Sequence, residues 1–498
     1  MAGFFKRLKE SMFDRKSDKA WVDQMSSKDD EKIELSKTID VVHSKSDERD
    51  PYFVQIGLDF GTSFSKVVCR DVIIGKPWIH LPKNPCDNEL PFLISSVVHL
   101  DGKVISHPSN TNGAYSENSL TRIKMALQSV GLGTSKDSQL DCFRDKLPNG
   151  WNLSEFVEAC AIYILGGILG STKSEIEGRF PGKIDGDQIM INMAVPVADA
   201  NDPRVEQIFD RVLKTAWCLA DQLANHPECS LESLYDLIKS VNGRINSPAI
   251  QEACFIYPEV SANVQGFIRS RASQAGLYLF SDTGAGTVDQ SVFLFTRRDG
   301  EDKLIYLSAQ VLGIGSSRIE EFALSKSRKS GWRALEDFRI KKESGTRDPN
   351  IRKAKTQIGR ELARRSKQTM ALAKLKLTRR EAINELKVIF GGGGHCTDPY
   401  KLRVMEQFDT DIFRSDLIKI RRSNEPEFDR GMPDLKTEFN LRNGQERWSK
   451  RLSVAYGLSF TKDELAPCRL PKDVPQPTEE EIIRHKAGFL YAPSKDDC

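Results

Sequence analysis

One feature restricts this chain more than any other. A short apolar strand that runs into a glycine-containing turn and straight back into a second strand occurs twice, about 220 residues apart. The first copy is Ile56-Gly-Leu-Asp-Phe-Gly-Thr-Ser-Phe-Ser-Lys-Val-Val68 and the second is Tyr278-Leu-Phe-Ser-Asp-Thr-Gly-Ala-Gly-Thr-Val-Asp-Gln-Ser-Val-Phe-Leu294. In the first, Gly61 permits close approach of a ligand to the backbone, and the amides of Thr62 and Ser63 can cradle phosphate oxygens. Asp59, at the strand end, is suited to holding Mg²⁺ through water, the habit of an ion that dehydrates reluctantly. In the second, Asp282 and Asp289 flank Gly284, Ala285, Gly286 and Thr287. A single turn of this kind could be an ordinary hairpin. Two of them predict related halves that face each other across a phosphate-binding cleft.

The rest of the chain reads as strands alternating with helices, which indicates an α/β fold with mainly parallel central sheets. Strands are expected at Phe53–Phe60, Lys66–Arg70, Leu93–Leu100, Ile189–Val195, Leu277–Phe280, Gln290–Thr296 and Leu386–Phe390, from apolar runs bounded by turn residues. Helices are expected around Leu120–Leu127, from Ser154 to about Leu169, over Asp202–Leu223 and Ser230–Ser240, and across a charged stretch from Arg318 to about Glu385. Residues 1–50 are polar and charged and read as a mobile tail. Its start is an exception, because Phe4, Phe5, Leu8 and Met12 share one helical face opposite Lys6, Arg7 and Lys9. Residues 3–13 could therefore lie on an anionic membrane surface or in a partner's groove. The chain from Ala466 on is rich in proline and reads as a surface-draped tail.

Four further segments sharpen the reading. Leu386-Lys-Val-Ile-Phe-Gly-Gly-Gly-Gly-His395 is a buried strand ending in glycines, and Val311-Leu-Gly-Ile-Gly-Ser-Ser-Arg-Ile319 follows the second hairpin. Ser119-Leu-Thr-Arg-Ile-Lys124 leads into a helix, and Tyr257-Pro-Glu259-Val-Ser-Ala262 lies between the hairpins. In their order along the chain these segments and the two hairpins resemble the actin, sugar-kinase and heat-shock ATPase superfamily, and most closely the nucleotide-binding domain of DnaK-type heat-shock chaperones. Arg451-Leu-Ser-Val-Ala-Tyr-Gly457 is similar to the helix that returns to the first lobe in that family. The resemblance covers roughly residues 52–460. It implies a two-lobed actin-like fold of duplicated ribonuclease-H-like domains. Lobe I would span 51–275, lobe II with a basic helical subdomain 276–395, a return to lobe I with an insertion 396–465, and a tail 466–498.

The resemblance also implies ATP/ADP and Mg²⁺ as ligands and slow ATP hydrolysis. Asp59 and Asp282 would serve the metal. Lys124 would reach the γ-phosphate region, with Glu259, Asp289 and Thr287 positioning the attacking water. Gly61, Thr62, Ser63, Gly284, Ala285, Gly286 and Gly313 would contact phosphates. Gly391, Gly392 and Gly393 would admit the nucleoside, and Glu361, Arg364, Arg365 and Lys367 would form the helix against adenine. The chain departs from the family where an acidic pair is replaced by Ser316–Arg318, and its pattern lacks the client-binding half. A switch that regulates a protein partner is the leading expectation, with a small-molecule kinase or a filament-forming ATPase as alternatives.

Composition narrows the rest. Net charge is only +3, with 29% charged residues, so the whole chain is no polyelectrolyte. Residues 326–380 nevertheless hold 19 Lys/Arg against 5 Asp/Glu, which leaves room for an acidic or nucleic-acid partner. The ten cysteines never form a closely spaced CxxC pair, so a zinc site or disulfide framework is not expected. A cytoplasmic protein with reduced thiols is the expectation. The most apolar run, Phe156–Leu169, is shorter than the roughly 20 residues that span a bilayer, so it is expected to be a buried helix.

Overall fold

The computed structural model describes residues 49–479 and 481, apart from 87–89, 108–117, 134–139, 141–142, 145–146, 149, 196–201, 226–227, 270–272, 299, 378–385, 397–398 and 408–444. The amphipathic start at residues 3–13, most of the insertion after 396 and most of the proline-rich tail lie outside the described residues.

The described residues from Pro51 on form one compact unit of mixed α/β structure built on three sheets. The first sheet takes β1 (Phe53–Asp59), β2 (Phe64–Asp71), β3 (Lys76–Ile79), β4 (Gln188–Val195) and β5 (Cys254–Pro258) in the order β5-β4-β1-β2-β3. The strands β1, β2 and β3 form an antiparallel meander, and β4 and β5 add in parallel beyond β1. The second sheet takes β6 (Gly276–Thr283), β7 (Val288–Arg298), β8 (Glu301–Leu312), β9 (Lys387–Gly391) and β10 (Cys468–Arg469) in the order β9-β6-β7-β8-β10. Here too the first three strands form an antiparallel meander, with β9 parallel to its first member. The shared plan is a hairpin meander flanked by a parallel strand on the side of its first strand. A smaller antiparallel sheet, made of Ser119–Leu120, Val98–Asp101, Val104–Ser106 and Glu228–Ser230, stands apart.

The sheets are therefore mixed rather than mainly parallel. Each glycine turn folds its strand directly back on itself, and a two-stranded return of that kind must be antiparallel. The run Leu93–Leu100 is also broken into Ile94–Ser95, which pairs with β2, and Val98–Asp101, which belongs to the small sheet. The long strand β8 was not expected from the sequence, and its polar start Glu301–Lys303 and the polar Gln310 near its end interrupt the apolar pattern.

Strand β1 is buried along its whole length, so both of its faces must be covered. Val54, Ile56 and Leu58 join the core beneath the helix Leu153–Arg179. The helix Gln445–Leu458 lies so close to β1 that a Cβ on Gly57 would strike the Ala455 carbonyl. Helix Leu153–Arg179 begins at an Asn152–Glu155 capping box, with Glu155 N to Asn152 Oδ1 at 2.9 Å and Asn152 N to Glu155 Oε2 at 3.0 Å. It runs for 27 residues, longer than the sequence pattern suggested, and is apolar enough to cross a membrane by length and composition. Yet 72% of its most apolar window is buried within the protein, as in a core helix.

The charged stretch after Arg318 forms three helices, Ser317–Ser325, Trp332–Glu343 and Pro349–Lys374. The last starts cleanly because the Asp348 carboxylate accepts the amides of Asn350 and Ile351, and Pro349 needs no hydrogen-bond acceptor. It turns Ile351, Ala354, Ile358, Leu362, Met370 and Ala373 toward the second sheet and its cations outward. The start of the expected C-terminal tail differs from its sequence reading, since Cys468 pairs with Leu304 as an edge strand of the second sheet.

Candidate functional site

Each turn builds its own geometry from local demands. In the first, Gly61 is required because a Cβ there would strike the Phe64 carbonyl, so the turn itself imposes this glycine. The register of the hairpin places Asp59 opposite Lys66, and Lys66 Nζ donates to Asp59 Oδ2 at 2.6 Å. In the second, the Gly284 amide donates to the Thr287 carbonyl at 2.9 Å and closes the turn, so this amide is spent internally. The segment after β8 sits directly on that turn. The amides of Gly315, Ser316 and Ser317 donate to the carbonyls of Gly286, Gly284 and Ala285 at 3.1, 3.0 and 2.8 Å.

The fold brings the two turns together. A Cβ on Gly286 would collide with Thr62 of the first turn and with Met125 of the helix Ile123–Gly131. That helix carries Lys124, whose Nζ donates to Glu259 Oε2 at 2.6 Å, with both side chains largely buried. Glu259 is the first residue of the helix Glu259–Ile268, immediately after β5. Asp282 and Asp289 are direct cross-strand partners between β6 and β7, a like-charge pairing that costs stability unless something compensates it. Thr287 Oγ1 donates to Asp289 Oδ2 at 3.0 Å, while Asp289 Oδ1 is buried with no hydrogen-bond partner.

The electrostatics follow from this crowding. Burial, then Glu259 and Asp59, push the Asp282 carboxyl up to about 7, against the opposing pull of Lys66 and Lys124. Burial and the neighbouring carboxylates of Glu259 and Asp282 raise Asp289 well above the usual range. Burial alone would lower Lys124, yet Glu259, Asp59 and Asp289 outweigh it and hold the ammonium above its ordinary value. Four acids (Asp59, Glu259, Asp282 and Asp289) thus face two lysines in a largely buried site. Among the described residues no three His, Cys, Asp or Glu side chains converge as a ready-made metal cage. An excess of carboxylates beside an orphaned carboxylate oxygen suits a cation that brings its own ligands, as Mg²⁺ does with water and phosphate.

Some expected ligand groups sit elsewhere. Gly391 and Gly392 are packed against Asp282, since a Cβ on Gly391 would lie 2.9 Å from Asn263 Nδ2 and 3.3 Å from Asp282 Oδ2. A Cβ on Gly392 would meet Asp282 Oδ1, and Gly393 packs against Arg451. These glycines make room for the acid. A separate cleft of about 330 Å³ is lined by Gln310–Ile314, Glu361 and Arg365, and its strand segment runs on into Gly315 at the second turn. Glu361 and Arg365 thus flank Gly313 there, whereas Arg364 is exposed and held by Glu361 at 2.7 Å, and Lys367 does not line the cleft. Much of the basic region is paired, as in Lys329 and Lys341 with Asp337, Lys342 with Glu320 and Arg339 with Glu336.

Three groups were missed by the sequence reading. Lys66 was legible once the turn was centred, because the hairpin register puts it opposite Asp59. Asn263 lies four residues after Glu259, one helical turn along the same face, and donates to Asp282 Oδ2 at 2.6 Å. Arg122, with φ of 54°, caps the Lys124 helix and pairs with Glu321 of the helix Ser317–Ser325 at 2.7 Å. No local signal announces that last contact, which joins elements from the two ends of the site. No protein-family model matches the chain, and no curated protein sequence matches it.

Proposed function

We propose that this chain is a Mg²⁺-dependent, ATP-binding and ATP-hydrolysing switch with the two-lobed actin-like fold, resembling the ATPase half of a DnaK-type chaperone. In this reading it acts in the cytoplasm and regulates a protein partner. One observation carries the proposal. Two glycine turns from separate sheets meet at a buried cluster of four acids and two lysines. A fold gains nothing from burying surplus like charge unless a ligand neutralises it. The repeated strand plan of the two sheets supports the two-lobed reading.

The residues divide the work by their placement. Asp59 and Asp282 would hold the metal through its waters, and Lys66 keeps Asp59 oriented. When bound, Mg²⁺ would neutralise phosphate charge and polarise the bond to be broken. The backbone amides of Thr62, Ser63, Ala285 and Gly286 would take the phosphates. Lys124 is held by Glu259 and buried, so its charge is strong where negative charge develops on the γ-phosphoryl group. Asp289 Oδ1 is free to accept a proton or hydrogen bond from an attacking water, with Thr287 fixing the other oxygen. Gly313, Glu361 and Arg365 would bracket the base. Calorimetric titration with ATP, with and without Mg²⁺, combined with phosphate-release assays, tests the proposal. Absence of Mg²⁺-dependent binding together with absence of hydrolysis would sink it.

A further inference from the structure

The acid at the centre of the site is gripped by two residues to which the sequence reading assigned no role in the site. Asn263 Nδ2 donates to Asp282 Oδ2 at 2.6 Å, and Ser453 Oγ donates to Asn263 Oδ1 at 2.6 Å. All three side chains are buried, Asn263 to 1% exposure and Ser453 to 2%. They come from three elements. Asn263 is on the helix Glu259–Ile268, Asp282 ends β6, and Ser453 is on the helix Gln445–Leu458.

The chain chemistry dictates the direction of the relay. A carboxamide has one donor end and one acceptor end, and a serine hydroxyl supplies one hydrogen. With that hydrogen on Asn263 Oδ1, the NH₂ end must face Asp282. With Asp282 ionised, the form that holds a cation, the opposite flip would set the amide oxygen against a carboxylate oxygen. On its other side the carboxylate's Oδ1 abuts Gly392, where no Cβ fits. Asp282 therefore has one donor and one wall that set its angle. The same helical turn bears Glu259, which holds Lys124, so one face of one helix sets both the lysine and the acid.

We infer that Asn263, oriented by Ser453, is a positioning residue that holds the Asp282 carboxylate at its working angle and ties that angle to the packing of the helix Gln445–Leu458. The inference rests on the nucleotide reading above. A hydrogen bond that only supports the fold would not favour the metal-bound state over the metal-free one.

The test measures ATP affinity by calorimetry for the full chain and for Asn263→Ala, Ser453→Ala, Asp282→Asn and the double variant Asn263→Ala/Asp282→Asn. Affinity for Mg²⁺·ATP should fall about tenfold in Asn263→Ala and in Ser453→Ala, while affinity for ATP in EDTA shifts by less than about twofold. In the Asp282→Asn background, Asn263→Ala should add nothing further, because residues that act through one another are not additive. Equal losses with and without Mg²⁺, or additive losses in the double variant, would overturn the inference. Should Asn263→Ala fail to fold, Ser453→Ala removes only the orienting hydroxyl and decides the same point. If the unaltered chain binds no Mg²⁺·ATP, the nucleotide reading falls. Thermal unfolding of the unaltered chain, Asn263→Ala, Asp282→Asn and their double variant without ligand then decides the pairing, with non-additive midpoints supporting it and additive ones refuting it.

Discussion

Replacing Asp282 with asparagine should stabilise the ligand-free protein and disable it at the same time. In the folded chain this carboxyl is pushed from 3.8 to about 7 by burial and by Glu259 and Asp59. A raised folded value means that the native state holds its proton more tightly than the unfolded state. The stabilisation is complete below about pH 4 and is lost as pH rises through about 7. Each unit is worth about 1.4 kcal/mol, so ionising Asp282 costs the ligand-free fold at most about 4 kcal/mol by pH 8. Asparagine carries no charge and keeps the shape. It gives up the charge assistance of the hydrogen bond from Asn263, a loss of about 1 kcal/mol. The variant should thus be more stable near pH 8 by roughly 1–3 kcal/mol, with little difference near pH 4. Denaturant unfolding in EDTA at the two pH values measures this. Mg²⁺·ATP affinity should fall about tenfold or more. An unchanged pH dependence in Asp282→Asn would refute the claim that this carboxyl is the strained group.

Lys124→Ala should lower the hydrolysis rate far more than ATP affinity, by about a hundredfold or more, because a cation at the γ-phosphate acts where charge develops. Single-turnover rates read against calorimetric affinities check it. Arg365→Ala should weaken ATP binding while leaving tripolyphosphate binding unchanged, since Arg365 lines the cleft beside Gly313 and is not part of the acid cluster; competition titrations with both ligands measure it. Asn152→Ala removes the capping box of the helix Leu153–Arg179 and should cost about 1 kcal/mol in chemical denaturation, with ATP affinity unaltered. The switch reading requires a protein partner whose affinity differs between the ATP, ADP and empty states, and by linkage the partner must change ATP affinity by the same factor. Equal pull-down in all three states would turn attention to a small-molecule kinase.

The two hairpins, the acids beside them and the helix bearing Lys124 were legible in the sequence because each depends on near neighbours. A tight turn demands glycine where Gly61 would otherwise strike Phe64, and an apolar run such as Phe53–Asp59 declares a strand buried on both faces. The amphipathic stripe of Pro349–Lys374 and its Asp348 cap are likewise local. Tertiary structure alone decided what touches the acids. Asn263 and Ser453 are 190 residues apart in the chain, and neither belongs to a turn or a charged motif. The glycines at 391 and 392 were read for their place at a strand end, and only the pairing of β9 parallel to β6 shows that they also lie against Asp282. Cys468 and Arg469 looked like part of a proline-rich tail until the edge of β8 supplied hydrogen-bond partners. Local sequence specifies turns, caps and strand faces through short-range sterics and hydrogen bonds. Which distant side chain fills the space beside a buried carboxylate depends on how whole elements pack, and no short stretch of sequence contains that information.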